Sequence, residues 1–466
     1  MLFPAAVFLL IFLPATVAVY WTVPARMRIA VLLVASYAFY LSWNPVYGLL
    51  LASSTVANYA IARAIPDSPH PKRLLTLGIV INLSVLAFFK YAGFLSSAGA
   101  DLLGWLGADT SGFDGLDILL PLAISFFTFE MISVLIDTYR RDVRVDNFLV
   151  FATYKAYFPK LVSGPITRYR ELAPQLLRPA PLTFERFQSG LALFTLGLAT
   201  KVALADNLAV PADRAFADPS TASAHVMAVG LGAFGLQILF DFAAYTTMAR
   251  GASRMLGLEL PLNFRYPYGS ASPSEFWRRW HITLSRWLRD YLYIPLGGNR
   301  KGKLLTYRNL IITMILGGLW HGAGWQFAAW GALHGTFLAL SHALRGRITN
   351  PSPLLRLGGA LTTLSAVYFA WIFFRADSIG AALDAINTLT ALPTESPRTL
   401  LLAPLAATAL ILASWTMPRL ANHARRLAAR NARLRPIAIA TVTLACWITA
   451  ITLSRSSLAP FVYFEF

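Results

Sequence analysis

Apolar runs close to the roughly 20 residues that a helix needs to cross a bilayer recur along this chain. They fall at about 3–22, 29–43, 46–62, 74–89, 118–136, 188–208, 224–245, 325–344, 357–374, 399–416 and 436–453. Hydrocarbon offers no partner for a backbone N–H or C=O, so such runs cross it as helices, whose hydrogen bonds are internal. Of the 466 residues, 56% are hydrophobic and 13% charged, against roughly 25% charged in an average soluble domain. The mean hydropathy is +0.56. The expected fold is all-α, a polytopic membrane protein of about 11 transmembrane helices in one membrane domain over residues 1–466, with no separate soluble domain.

A net charge of +18 could point to nucleic acid, but the basic residues fall in short loops between apolar runs. That is how cytoplasmic loops look under the positive-inside rule, so the expected surroundings are lipid and not nucleic acid. With Arg26 and Arg28 inside, the amino terminus lies outside, and one alternation puts nearly every basic loop on one side. Arg63, Lys72 and Arg73, then Arg140, Arg141 and Arg144, and finally Arg419, Arg425, Arg426, Arg430, Arg433 and Arg435 fall inside. Loop 209–223, with Asp213 and Asp218 against Arg214, falls outside. Residues Met1 to Thr22 lack a basic leading region, which favours a retained first span over a cleaved signal peptide. The single cysteine, Cys446, excludes an intramolecular disulfide or a thiolate metal cluster.

Several segments depart from the pattern. Residues 147–165 are half apolar and carry Lys155, Pro159 and Lys160, which suggests a re-entrant or interfacial piece. Residues 96–108 are short and expected near the surface, and 376–398 reads as a polar or small-residue connection outside. Stretch 262–308 interleaves Arg265, Arg278, Arg279, Arg286, Arg289 and Arg300 with Phe276, Trp277, Trp280, Trp287 and Tyr291. Arginines among aromatic rings belong at a membrane–water interface, so this stretch is expected as amphipathic helix on, or dipping into, the cytoplasmic face. Residues 309–320 then give only a half-helix of roughly 18 Å, and Gly322 and Gly324 interrupt the chain before the next run. Broken backbone at membrane depth is tolerated where it lines protein or water, so a cavity is expected around His321.

Two histidines follow tryptophans inside this apolar sequence, in Trp280-His281 and Trp320-His321. A titratable ring at membrane depth is costly and marks a functional site by default. Imidazole takes and returns a proton near neutral pH, and burial keeps it neutral, as a general base requires. Such a base could activate a hydroxyl against a thioester carbonyl. The residues alone leave catalysis and simple structural burial both open. His334 and His342 share a side of the next helix, but no HExxH motif or carboxylate accompanies them and no metal site is expected. Gly230-Leu231-Gly232-Ala233-Phe234-Gly235 satisfies GxGxxG inside an apolar run, where small residues serve helix packing. Neither a Walker A motif nor a Gly-x-Ser-x-Gly elbow is present, which speaks against an ATP-driven pump and a serine hydrolase. Asp241 and Glu130 could form a proton pathway in a transporter or pair with an arginine or tyrosine, and pairing is the favoured reading.

The stretch Ser274-Glu275-Phe276-Trp277-Arg278-Arg279-Trp280-His281-Ile282-Thr283-Leu284-Ser285, continuing to Pro295-Leu296-Gly297-Gly298-Asn299-Arg300, resembles the bacterial branch of the membrane-bound O-acyltransferase family. Gly317-Gly318-Leu319-Trp320-His321-Gly322-Ala323 resembles the family's second histidine motif. Weaker signatures are Tyr157-Phe158-Pro159-Lys160-Leu161-Val162-Ser163-Gly164-Pro165-Ile166 and Phe373-Phe374-Arg375-Ala376, so the likeness runs from about 85 to 380. The likeness is strongest to the branch that O-acetylates alginate. One departure is Thr247, where relatives carry Asp.

The resemblance implies a multi-helix fold around a central tunnel, with re-entrant and interfacial helices. It implies a cytoplasmic acyl thioester as donor, acetyl-coenzyme A or similar, and no permanently bound cofactor. It implies an extracellular or periplasmic polysaccharide acceptor, a periplasmic acetyltransferase partner and a bacterial inner-membrane location. His321 then corresponds to the main catalytic residue, as general base or acceptor-orienting group, and His281 to a supporting one. Trp280, Trp320, Arg278, Arg279 and Asp290 are the candidate substrate contacts, the arginines (with Arg286) because coenzyme A is anionic. D-alanyl transfer to teichoic acid, a proton-coupled transporter and a scaffold that recruits the true transferase are the competing readings.

Overall fold

The computed structural model describes residues 3–107, 118–344, 352–391, 405–420, 441, 443–448 and 452, and among them there are helices and no strands. In chain order the helices are α1 (Leu13–Thr22), α2 (Arg28–Leu41), α3 (Pro45–Ala64), α4 (Pro71–Trp105), α5 (Ile124–Tyr139) and α6 (Phe148–Ala156). There follow α7 (Phe158–Leu161), α8 (Tyr169–Leu177), α9 (Phe184–Thr200), α10 (Asp206–Phe216) and α11 (Ala224–Met255). Then come α12 (Pro273–Trp277), α13 (Ile282–Leu288), α14 (Lys303–His321), α15 (Trp325–Ala343), α16 (Pro353–Arg375), α17 (Ile379–Thr390) and α18 (Leu405–Leu420). Among the described residues, four helical stretches are long and apolar enough to cross a membrane, namely Pro71–Trp105, Phe184–Phe216, Ala224–Met255 and Pro353–Arg375. The outward face of α4 is apolar, with Leu77, Val80, Leu83 and Phe88 all exposed, as suits contact with lipid tails.

By internal contacts the chain divides into two compact units, 1–194 with 245–261, and 195–244 with 262–466. The first unit holds the broken segment over 148–161. Asn147 caps α6 by accepting from Val150 N–H at 3.0 Å, and Tyr157, with an extended ψ of 104°, separates α6 from α7. Lys155 and Lys160 are both buried. Lys160 pairs with Glu130, while Lys155 donates to Ser54 Oγ at 2.6 Å and lies 4.8 Å from the Phe127 ring centre. The segment is thus a broken helical piece enclosed by protein instead of lying on a surface.

The second unit is organised around the α14–α15 hairpin. A Cβ at Gly318 would overlap the Phe327 carbonyl, and one at Gly331 would overlap that of Met314, so glycine lets the two backbones touch. The GxGxxG run packs in the same way, with Gly230 against Ala215 and Gly235 against the Tyr368 ring. Asp241 pairs with Lys201 at 2.9 Å, and Lys201 also holds Asp206 at 2.8 Å. Glu130 and Asp241 therefore pair as expected, with lysine in place of arginine or tyrosine.

Four other expectations need correction. Residues 96–105 are not a separate surface piece but the continuation of α4. Helical structure runs through 184–216, so the loop expected from 209 begins only after Phe216. The stretch 262–302 is not one amphipathic helix. Pro267, Pro273 and a left-handed His281 cut it into short turns whose rings Phe276, Trp277, Trp280, Trp287 and Tyr291 are buried. Within 376–398, residues Ile379–Thr390 form α17 under a Ser378 cap that accepts from Ala381 N–H at 3.1 Å, and 392–398 lie outside the described residues. The run at 436–453 also lies mostly outside them.

Candidate active site

The chain does break after His321. Gly322 (φ −152°, ψ 151°) and Gly324 (φ −172°, ψ 153°) are extended, and α15 starts at Trp325. The preceding helix is a full 19 residues, however, because it begins at Lys303. At about 1.5 Å per residue it is longer than the expected half-helix, because residues 303–308, expected in the interfacial stretch, continue it.

His321, the last residue of α14, is 5% exposed. Its ring lies 4.9 Å from that of Trp320, 5.2 Å from Trp330 on α15 and 5.2 Å from Phe374 on α16. Three elements thus enclose one imidazole in apolar rings. His281 reaches the same neighbourhood from another segment, with its ring 6.4 Å from that of Trp320. Trp320 is therefore the wall shared by both histidines.

His281 is fully buried and takes φ +39°, a conformation that non-glycine residues rarely adopt. Backbone pairing sets it there. Ile282 N–H donates to Asn263 O at 2.9 Å and Arg265 N–H to Arg279 O at 2.9 Å, which lays 263–265 alongside 279–282. Asn263 Oδ1 accepts from Thr283 N–H at 3.2 Å and Thr283 Oγ1 at 2.9 Å. A backbone N–H can only donate, so this atom is the amide oxygen. His281 Nδ1, 3.1 Å from the same oxygen, must then carry the hydrogen. Its Nε2 is left as a bare, buried acceptor with no partner among the described residues. Burial pushes this imidazole down to about 3, so it is neutral at physiological pH. Asn263 lies 18 residues upstream of His281 and gave no sequence signal.

The remaining expected contacts separate. Trp280 belongs to the core, stacked on Phe276 at 5.6 Å and packed on Trp371 at 5.1 Å. Arg279 is held by Glu275 at 2.6 Å, one helical turn away. Asp290 pairs with Arg289 at 2.7 Å. A cavity of about 440 Å³ is lined by Arg278, Arg286 and Arg289, with Trp277, Thr313, Met314 and Leu338 among the other walls. Arg278 is the only one of the five expected contacts that lines it, and Arg289 joins it from sequence that carried no separate signal. A second residue that sequence reasoning set aside is His334, whose ring is 4.7 Å from that of Trp330.

Neither histidine lines the arginine-walled cavity, but all of these residues fall within one family match. The model of the membrane-bound O-acyltransferase family, MBOAT, matches residues 68–379, which include every residue of this site. The chain belongs to the membrane-bound O-acyltransferase family. It is an integral membrane acyltransferase. It is 44% identical over 389 residues to the probable alginate O-acetylase AlgI of Azotobacter vinelandii, covering 82% of this chain and 76% of that protein. It is 38% identical over 433 residues to the peptidoglycan O-acetyltransferase of Helicobacter pylori, covering 84% and 80%. Similarity to the teichoic acid D-alanyltransferase of Streptococcus thermophilus is 29% over 237 residues, covering 48% and 57%.

Proposed function

We propose that this acyltransferase moves an acetyl group from a cytoplasmic thioester, acetyl-coenzyme A or a close analogue, to a hydroxyl of a polysaccharide outside the bacterial inner membrane. A tunnel through the helices would join the two sides, and a periplasmic acetyltransferase would pass the group to the polymer. The observation that carries this reading is Trp320 shared by His281 and His321 in the unit that also holds the arginine-lined cavity. Relatives alike over most of the chain, a probable alginate O-acetylase and a peptidoglycan O-acetyltransferase, support the acetyl group and the polymer class.

In this mechanism Arg278, Arg286 and Arg289 take the anionic part of the donor. The acceptor hydroxyl gives its proton to the imidazole of His321 while its oxygen attacks the thioester carbonyl carbon. The tetrahedral intermediate collapses, the C–S bond breaks, and the leaving thiolate takes the proton back from the imidazolium. An ester and a free thiol result. His281, with Nε2 as a fixed acceptor, orients a donor group at the same site.

The test uses inside-out membrane vesicles supplied with acetyl-labelled acetyl-coenzyme A. Labelled glycan or labelled partner protein is expected, and His321→Ala is expected to slow transfer by roughly 10²- to 10⁴-fold. Transfer from a carrier-protein thioester alone would move the assignment to D-alanylation. Intact acetylation in His321→Ala, with loss of solute uptake, would move it to transport.

A further inference from the structure

His334 is not needed by the mechanism above, yet it is enclosed and hydrogen-bonded inside the second unit. It is buried to within 1% exposure among the rings of Phe276, Trp277, Trp330 and Trp371. Trp277 Nε1–H donates to His334 Nδ1 at 3.3 Å. An indole nitrogen is a donor only, so Nδ1 is the acceptor and the ring hydrogen sits on Nε2. Among the described residues that Nε2–H finds no acceptor, and neither do the indole N–H groups of Trp330 and Trp371. The three rings are mutual neighbours, at 4.7 Å, 6.0 Å and 6.4 Å between centres. Buried donors are normally paired, and three unpaired ones in one cluster call for a polar partner from elsewhere.

The cluster also neighbours both the cavity wall and His321. Trp277, the hydrogen-bond partner of His334, lines the cavity, and so does Leu338, one turn along α15 from His334. Trp330 touches His321 at 5.2 Å. The two fixed histidines have opposite tautomers. His281 offers a lone pair at Nε2, and His334 offers a hydrogen at Nε2.

We propose that His334 Nε2–H, supported by the indole N–H groups of Trp330 and Trp371, holds the carbonyl oxygen of the acyl thioester and stabilises the oxyanion formed when the acceptor attacks. When the new C–O bond forms, the carbonyl π electrons move onto this oxygen, and the three donors receive the charge. When the C–S bond breaks, the electrons return to remake the carbonyl. No proton leaves His334, so its neutral donor state serves through the whole cycle. This inference rests on the acyl-thioester reading above and adds to it the identity of the oxyanion donors.

Two variants of the full-length protein in detergent separate donation from packing. In His334→Asn the amide oxygen can replace Nδ1 as acceptor for Trp277, but no N–H reaches the Nε2 position. In His334→Gln an amide N–H can reach it. With acetyl-coenzyme A as donor, His334→Asn is expected to lower kcat roughly 10²- to 10³-fold with KM for the donor nearly unchanged, and His334→Gln to recover part of that loss. The second readout is the infrared stretch of the ¹³C-labelled thioester carbonyl bound without acceptor. Loss of the donor should move it to higher wavenumber in His334→Asn and leave it near the wild-type position in His334→Gln. A bound carbonyl band that is the same in wild type and His334→Asn, or a kcat that falls less than about threefold, would overturn the assignment of His334. Absence of any bound acetyl-coenzyme A in the wild type would instead overturn the donor reading itself, and this inference with it.

Discussion

One amide oxygen, Asn263 Oδ1, settles the protonation of His281 by meeting three donors at once. The consequence is measurable as a pH dependence of stability. Burial holds the folded pKa near 3, far below the ordinary 6.5 of an unfolded histidine. Stability from the neutral ring is therefore complete above pH 6.5 and is lost as pH falls below it, because the unfolded chain takes up a proton that the folded one refuses. The natural reference is His281→Asn, since asparagine tolerates the left-handed φ and keeps a donor toward Asn263. Between pH 6 and pH 4, wild-type stability should fall faster than that of the variant by up to about 1.4 kcal/mol per pH unit. Thermal unfolding in detergent at stepped pH checks this, and parallel curves would show that His281 titrates normally. The same residues show what a sequence can and cannot disclose. Trp280-His281 and Trp320-His321 were visible because a costly ring inside apolar sequence stands out locally. Asn263 was not visible, and His334 was named but set aside, because their partners Thr283 and Trp277 lie in other segments that only the fold brings near.

At the scale of elements, the site depends on how closely α14 and α15 approach. Gly331 lies beside Trp330 and three residues before His334, and its backbone touches Met314, seven residues before His321. Alanine there would overlap the Met314 carbonyl and pass 2.7 Å from Ile315 Cα, both parts of the backbone, so the hairpin must open. Gly331→Ala should cost roughly 1–3 kcal/mol as an overpacking change and lower acyl transfer more than it lowers the amount of folded protein. Gly358 provides the control, since nothing lies within 4 Å of its added Cβ and it sits inside α16. Gly358→Ala should be neutral or stabilising by up to about 1 kcal/mol through helix propensity alone. Paired measurements of unfolding temperature and of turnover per folded molecule check both. Equal effects of the two substitutions would mean that the close approach is not what positions the site. The element boundaries were legible wherever a run was uniformly apolar, as in α16. They were misjudged where small residues dilute the run, as at Gly93 to Ala100 in α4, because hydropathy weakens there while helix geometry continues.

For the molecule as a whole, the charge pattern makes a prediction about sidedness that no single residue carries. The arginines of 278–300 and the cavity they line belong on the cytoplasmic side if basic loops stay inside, and the turn at 217–223, with Asp218 exposed and Ser220 hydrogen-bonded to it, belongs outside. The same arrangement is what an acyltransferase with a cytoplasmic donor requires, so the test bears on mechanism as well as topology. The single cysteine, Cys446, makes the experiment direct, because Cys446→Ala leaves a background with no thiol. Arg300→Cys and Ser220→Cys, both at exposed positions, then report one side each through a membrane-impermeant maleimide. Position 300 should label in inside-out vesicles and stay protected in right-side-out ones, while position 220 should do the reverse. Labelling of both from the same side would break the alternation of loops between them, and labelling in the opposite sense would put the arginine-lined cavity on the side where no cytoplasmic thioester could reach it.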